Sequence, residues 1–309
     1  MTAEHVPVML RQCIDALDIR PDGTYVDCTF GRGGHSRAIL QRLHGGRLVA
    51  LDRDEEAIAS ARELEAEYPG AFTAVHSEYS HLADTLGSLG ITSVNGILFD
   101  LGVSSPQLDQ PDRGFSYLQD APLDMRMDRT QSLTAADVVN GYDYEELKRI
   151  LFDFGEERYA PNIARAIVKA RGASPITTTG RLAQVVTDAM PSRSRKEKQH
   201  PARRTFQAVR IAVNSELTLL QKGLDAAISV LAPGGMLAVI TFHSLEDRIV
   251  KNAIRDACTG CICPKSFPVC VCGRVPLMEQ TGKPSVPDRE ETETNPRARS
   301  ARLRTARKL

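Results

Sequence analysis

Tyr25-Val-Asp-Cys-Thr-Phe-Gly31-Arg-Gly33-Gly34-His35-Ser36, followed by Gly46-Arg-Leu-Val-Ala-Leu-Asp52, reads as a buried strand, a glycine-rich turn, a helix and a second strand ending in a carboxylate. Glycines let the backbone approach a ligand, and the first N–H groups of a helix, which have no carbonyl partner, face an anion. A carboxylate at the tip of the next strand, Asp52, can accept both hydroxyls of a ribose. An adenosine-containing cofactor is the expectation. Gly31-x-Gly33-x-x-Ser36 lacks the last glycine of the dinucleotide fingerprint, and a small residue is tolerated there, so the turn alone leaves a dinucleotide and S-adenosylmethionine both open.

Working outward, apolar runs at Thr24–Thr29, Arg47–Leu51, Phe72–Val75 and Gly96–Phe99 read as buried parallel strands separated by helical patterns such as Glu55–Glu67. A fifth run, Met236–Phe242, comes only after the turn signal Pro233-Gly234-Gly235. The intervening stretch is helical, with patterns at Tyr144–Phe154, Glu157–Arg171 and Arg181–Ala189, the last capped by Thr178 or Thr179. Pro201 then opens what reads as one long helix, with Phe206, Val209, Val213, Leu217, Leu220 and Leu224 in a continuous apolar stripe. The fold class expected is α/β, a Rossmann-like doubly wound sheet with an inserted helical domain. Residues 1–105 form the first part of the core, 106–212 the insertion, and 213–309 the second part, with a Cys-rich loop at 258–272. The tail from about Thr281 reads as polar, ending in a short basic segment.

Bulk composition excludes several classes. No apolar run approaches the ~18 residues of a membrane span, and no signal-peptide pattern opens the chain. Seven cysteines, an odd number clustered late, do not form a secreted disulfide framework, so a reducing cytoplasm is expected. Lys+Arg 39 against Asp+Glu 39 gives no overall pull on nucleic acid. Two local basic segments, Arg193–Arg204 and Arg297–Arg304, are nevertheless candidate RNA contacts.

The strand tips carry the candidate chemistry. Tyr79, just past the third strand, could stack on an adenine. After the fourth comes Asp100-Leu-Gly-Val-Ser104-Ser-Pro-Gln107, a small polar loop stopped by proline. An exocyclic amine on a base is a poor nucleophile because its lone pair is delocalised; acceptors that hold its N–H groups favour the tetrahedral form and aim the lone pair. Asp100 and Ser104 are the candidate acceptors, with His243 at the fifth tip as a further catalytic candidate. Ser244 and Asp247 fit a capping box. Cys261, Cys263, Cys270 and Cys272 form two Cys-x-Cys pairs, a spacing that fits a structural zinc and a reduced, metal-free loop alike.

Blocks along the chain resemble one family. Thr29-Phe-Gly-Arg-Gly-Gly-His-Ser36, Asp100-Leu-Gly-Val-Ser-Ser-Pro-Gln107, Pro122-Leu-Asp-Met-Arg-Met-Asp128, Thr205-Phe-Gln-Ala-Val-Arg-Ile211, Phe242-His-Ser-Leu-Glu-Asp-Arg248 and Asn295-Pro-Arg-Ala-Arg-Ser300 look like the signature blocks of the bacterial ribosomal RNA small-subunit methyltransferase H (MraW) family. The resemblance implies a class I S-adenosylmethionine-dependent methyltransferase that N4-methylates a cytidine in the decoding region of 16S ribosomal RNA, within the small subunit. It implies cofactor contacts at Gly33, Gly34, His35, Asp52, Tyr79, Asp100 and Gln107, and leaves the general base open. Two other readings stand beside it: a nicotinamide-dependent oxidoreductase, and a non-catalytic assembly factor that binds the subunit without modifying it.

Overall fold

The computed structural model describes residues 7–191, 199–264 and 267–309. The chain divides into two compact units, one of Met1–Gly102 with Leu217–Leu309 and one of Val103–Glu216. Among the described residues no helix is long and apolar enough to cross a membrane.

The first unit is built on seven strands: β1 (Thr24–Asp27), β2 (Arg47–Asp52), β3 (Phe72–His76), β4 (Val94–Asp100), β5 (Leu231–Thr241), β6 (Met278–Gln280) and β7 (Arg302–Lys308). Their order is β3-β2-β1-β4-β5-β7-β6. β1 to β5 pair in parallel, while β7 runs antiparallel to both β5 and β6. The period of two along each strand divides the sheet between two apolar layers. Tyr25, Leu48, Ala50, Leu98, Ala238 and Ile240 face one layer, with Ile14, Leu17, Ile39, Ala61 and Leu64 from helices Leu10–Leu17, Gly34–Leu40 and Glu55–Glu67. Val26, Val49, Leu51, Ile97, Phe99, Leu237 and Val239 face the other, with Leu82, Leu86, Leu220, Leu224, Val250 and Ile254. Burial on both faces is why these strands appear in the sequence as unbroken apolar runs. The strand order reverses beside β1 and β4, so the crevice beyond their carboxyl ends is the switch point where such sheets take ligands.

The second unit packs helices Ala135–Gly141, Tyr144–Asp153, Ala160–Ala173, Thr179–Ala189 and Arg203–Asn214 around Val138, Leu147, Ile150, Leu151, Ile163, Ile167, Val186, Phe206 and Val209. Thr134 and Asp143 open their helices with capping boxes, and Thr178 caps Thr179–Ala189.

Three expectations change. The single helix from Pro201 is two, Arg203–Asn214 and Glu216–Val230, because Ser215 takes a left-handed conformation (φ 49°). Arg210 clamps the break with a bidentate pair to Glu216, both N···O distances 2.9 Å. The stripe therefore serves two cores: Phe206, Val209 and Val213 in the helical unit, Leu220 and Leu224 in the sheet unit. The return to the sheet unit accordingly falls at Leu217 rather than 213, and the departure after Gly102 rather than 105. β5 begins at Leu231, earlier than Met236, but its register against β4 jumps from Leu231 to Met236, so Pro233-Gly234-Gly235 lies in a bulge. Finally, the polar tail contains a strand, Arg302–Lys308, which lies inside the sheet between β5 and β6, with Leu303 and Ala306 buried.

Candidate functional site

Three of the parallel strands end in carboxylates: Asp27 on β1, Asp52 on β2 and Asp100 on β4. Asp27 is buried and used locally. Its Oδ1 accepts from Thr29 N at 3.1 Å and its Oδ2 from Ser36 Oγ at 2.7 Å, tying the strand tip to the helix after the turn. Thr29 in turn accepts the Asp100 N–H on Oγ1, 2.6 Å away, which joins the ends of β1 and β4.

The glycine turn lies between these groups. Gly33 is the N-cap of Gly34–Leu40 and has φ 72°, a conformation that side chains resist; a Cβ there would also lie 2.7 Å from the Phe30 ring. A Cβ on Gly34 would meet Pro7 Cγ at 2.2 Å, so Pro7 packs directly on the turn. Asp52 accepts one backbone N–H on each oxygen, Gly31 N at 2.8 Å and Asp54 N at 2.9 Å. Each oxygen keeps acceptor capacity for one further donor. Burial pushes the Asp52 carboxyl up to about 6, against the pull of those two N–H groups and with the negative charges of Asp54 and Asp27 adding to the rise.

His35 and Asp100 face each other with Nδ1 and Oδ2 3.7 Å apart, beyond hydrogen-bond reach. Asp100 Oδ1 and His35 Nε2 are shielded from solvent and have no partner among the described residues. Burial holds the Asp100 carboxyl well above the usual range, reinforced by Asp27 and Glu246. Burial likewise lowers His35, against the opposing charge of Asp27. Both groups are thus biased toward neutrality, and the contact is not an ordinary ion pair. Tyr79 starts the turn after β3 and meets Phe99 edge-on, centroids 5.6 Å apart at 69°. Beside it, Arg53 and Glu78 pair at 3.0 Å across the ends of β2 and β3.

The sheet unit thus gathers Gly33, Gly34, His35, Asp52, Asp100 and, one strand further out, Tyr79. Ser104 and Gln107 belong to the helical unit. There Ser104 caps the short helix Ser105–Asp109, and Gln107 Oε1 accepts the Ser104 N–H at 3.0 Å, a closed capping box. His243 is also a cap: its Nδ1 accepts from Glu246 N, and Glu246 Oε2 takes the N–H groups of Phe242 and His243. The box expected on Ser244 and Asp247 is therefore shifted by one residue. Asp247 instead holds Arg304 bidentately at 2.7 and 3.0 Å, which commits one of the candidate RNA-contact arginines to the sheet unit itself. Of the other basic segment, residues 193–198 lie outside the described residues, while Arg203 and Arg204 open a helix. The sequence reading assigned no role to Asp27, Thr29 or the Arg53–Glu78 pair. The available signal was a carboxylate inside an otherwise apolar strand, Tyr25-Val-Asp27-Cys28.

The family described as MraW methylase matches residues 2–309. A ribosomal RNA small subunit methyltransferase H from Symbiobacterium thermophilum is 51% identical, covering 100% of this chain and 98% of the relative. One of the same name from Carboxydothermus hydrogenoformans is 52% identical over 100% of this chain and 99% of its own length. Among solved structures, a putative rRNA methylase from Clostridium thermocellum aligns over 99% of this chain and 100% of its own, at 11% identity and a TM-score of 0.47.

Proposed function

The chain belongs to the MraW methylase family, and on that premise we propose that the carboxyl ends of β1, β2 and β4 hold S-adenosylmethionine and present its methyl to N4 of a cytidine. It is a ribosomal RNA small-subunit methyltransferase acting on 16S ribosomal RNA. The observation that carries the site assignment is the pair of buried polar atoms without a partner among the described residues, Asp100 Oδ1 and His35 Nε2, beside a glycine turn and a second strand-end carboxylate. Groups so arranged fit a ligand that is cationic and carries hydroxyls. When bound, S-adenosylmethionine supplies a methyl made electrophilic by its sulfonium.

Each residue then has a part that its present contacts allow. The turn at Gly33 and Gly34 brings backbone close enough for the methionine end, and helix Gly34–Leu40 starts there. Asp52 takes the ribose hydroxyls on the acceptor capacity its two N–H partners leave. Tyr79, engaged by Phe99 through an edge contact, offers a face to the adenine. Asp100, ionised once the cationic sulfonium lies beside it, provides the acceptor near the transfer, and the burial that raises its proton affinity lets it take up the proton the amine loses as the methyl arrives. Burial keeps His35 neutral, so it adds no competing positive charge beside the sulfonium. Ser104, Gln107 and His243 serve as caps, and we assign none of them a chemical step.

The substrate we favour is RNA within the small subunit, contacted by the basic segment Arg193–Arg204, of which Arg203 and Arg204 are exposed, and by Arg297 and Arg299 but not Arg304; the setting is the cytoplasm, where ribosomes and reduced thiols coexist. Mass spectrometry of nucleosides tests the reaction. Small subunits from cells lacking this protein, and naked 16S RNA in parallel, are treated with purified protein and S-adenosylmethionine. N4-methylcytidine on the subunits is expected. Its absence from both substrates, with cofactor binding demonstrated, overturns the reading.

A further inference from the structure

We propose that Cys261, Cys263, Cys270 and Cys272 form a tetrahedral zinc site that holds together the long loop between helix Ser244–Cys258 and β6. The loop has no regular secondary structure among its described residues. Irregular stretches of this length inside a compact domain are uncommon unless something holds them. An apolar core does not. Ile262, Phe267, Val269, Val271 and Val275 are all at least half exposed. Backbone pairing contributes little beyond the base, where Leu277 N donates to Ala257 O at 2.8 Å and the Arg274 guanidinium reaches Asp256 O.

What the two arms do share is sulfur. All four Sγ atoms lie within 4.8 Å of one another, two from the outgoing arm and two from the returning one. Cys270 and Cys272 Sγ are 3.6 Å apart, and Cys272 and Cys261 Sγ 3.8 Å. A tetrahedral ion with Zn–S bonds of ~2.3 Å requires S···S edges of about 3.8 Å, so these two edges already have the length a zinc ion demands. Val271 N donates to Cys263 Sγ at 3.4 Å, the kind of N–H contact that supports charge on a ligating sulfur. Cys258, three residues before the first ligand, stays outside the group, so the clustering is not a consequence of sequence proximity alone.

Four thiolates in a tetrahedron select a soft, geometrically undemanding ion such as zinc over hard cations that take oxygen ligands. On binding, each sulfur forms one bond to the ion and its thiol proton passes to solvent, with no change of oxidation state. The ion takes the place of the core the loop lacks, and fixes its apolar side chains facing outward. This site is independent of the methyl-transfer pocket, and its metal content is read without any transfer assay.

The full chain, purified under reducing conditions with no metal added and its tag removed, is assayed by elemental mass spectrometry. About one zinc per chain is expected. Cys261→Ser and Cys272→Ser should lose it, Cys272→His should retain it because imidazole also ligates zinc, and Cys258→Ser should be unaffected. Should a serine variant fail to fold, the wild type still decides: chelation should speed trypsin cleavage at Arg274 by at least about tenfold, through opening of this loop alone. Protein that takes up no zinc even on reconstitution, that holds iron instead, or whose four thiols are paired as disulfides after anaerobic purification, overturns the proposal.

Discussion

Asn214 in the helical unit and the Asp100–His35 pair in the sheet unit both take polar atoms out of water, but to different ends. In the helical unit Asn214, 1% exposed, uses its whole amide: Oδ1 accepts from Met127 N at 2.8 Å, and Nδ2 donates to Met125 O and Arg210 O. Arg113, equally buried, donates through Nη2 alone to the carbonyls of Arg126 and Met127. Between them they fix the loop Pro122–Asp128, where Met125 has φ 59°. In the sheet unit Asp100 Oδ1 and His35 Nε2 are shielded too and have no partner among the described residues. A satisfied buried network stabilises one conformation, whereas an unsatisfied one costs stability and persists where a ligand completes it. The contrast is between these groups and not between whole units, since Thr205 Oγ1 in the helical unit is also buried without a partner among the described residues.

The largest effect that can break this contrast is on the scaffold side. Asn214→Ala leaves the Met127 N–H and the Met125 carbonyl buried without that partner, and should cost about 3 kcal/mol or more. Urea unfolding monitored across the whole chain measures it, and a loss under about 1 kcal/mol would place Asn214 among replaceable surface amides. The opposite result is expected at the site. Asp100→Asn keeps the shape while removing a carboxylate whose charge burial opposes, so the cofactor-free protein should be as stable as wild type or more so. Methyl transfer should nonetheless fall by about 100-fold, the scale on which a single preorganised polar group acts in a dry site. Destabilisation by Asp100→Asn, in the absence of cofactor, would mean that the carboxylate is structurally satisfied after all.

The same contrast explains what could be read in the sequence. β1 to β4 were legible because strands covered on both faces are apolar throughout, and Asp52 and the glycine turn were legible because their spacing is local. β7 was not: in Arg302-Leu-Arg-Thr-Ala-Arg-Lys308 only Leu303 and Ala306 are buried, and the cations between them read as a charged tail. Nor was the break at Ser215, since apolar spacing continues through it while the buried residues change cores. The cap at His243 was masked by Ser244, the commoner capping residue, one position later. At the site, the tie from Thr29 to Asp100 spans 71 residues and the His35–Asp100 approach joins a helix to a distant strand, and no local pattern encodes either.

Asp52 gives the smallest of the expected effects and the one whose sign is most informative. Its carboxyl titrates near 6 in the folded protein against 3.8 ordinarily. Between those values the folded protein keeps a proton that the unfolded chain has released, so this group makes the cofactor-free protein less stable as pH rises through the window, a loss complete above about 6. Ribose hydroxyls need the ionised form as acceptor, so cofactor affinity should move the other way, falling by about fivefold from pH 6 to pH 5. Asp52→Asn should bind more weakly at neutral pH, and should lose both slopes together. Calorimetric titration at several pH values, with parallel thermal unfolding, checks this. Asp27 and Asp54 bear on the same carboxylate, His76 and the Arg53–Glu78 pair lie at the ends of β2 and β3, Asp100 and His35 face each other at the end of β4, and His243 follows β5. If the asparagine variant kept the binding slope, the proton would belong to Asp100 or His35, and the ribose role would pass from Asp52 to another acceptor.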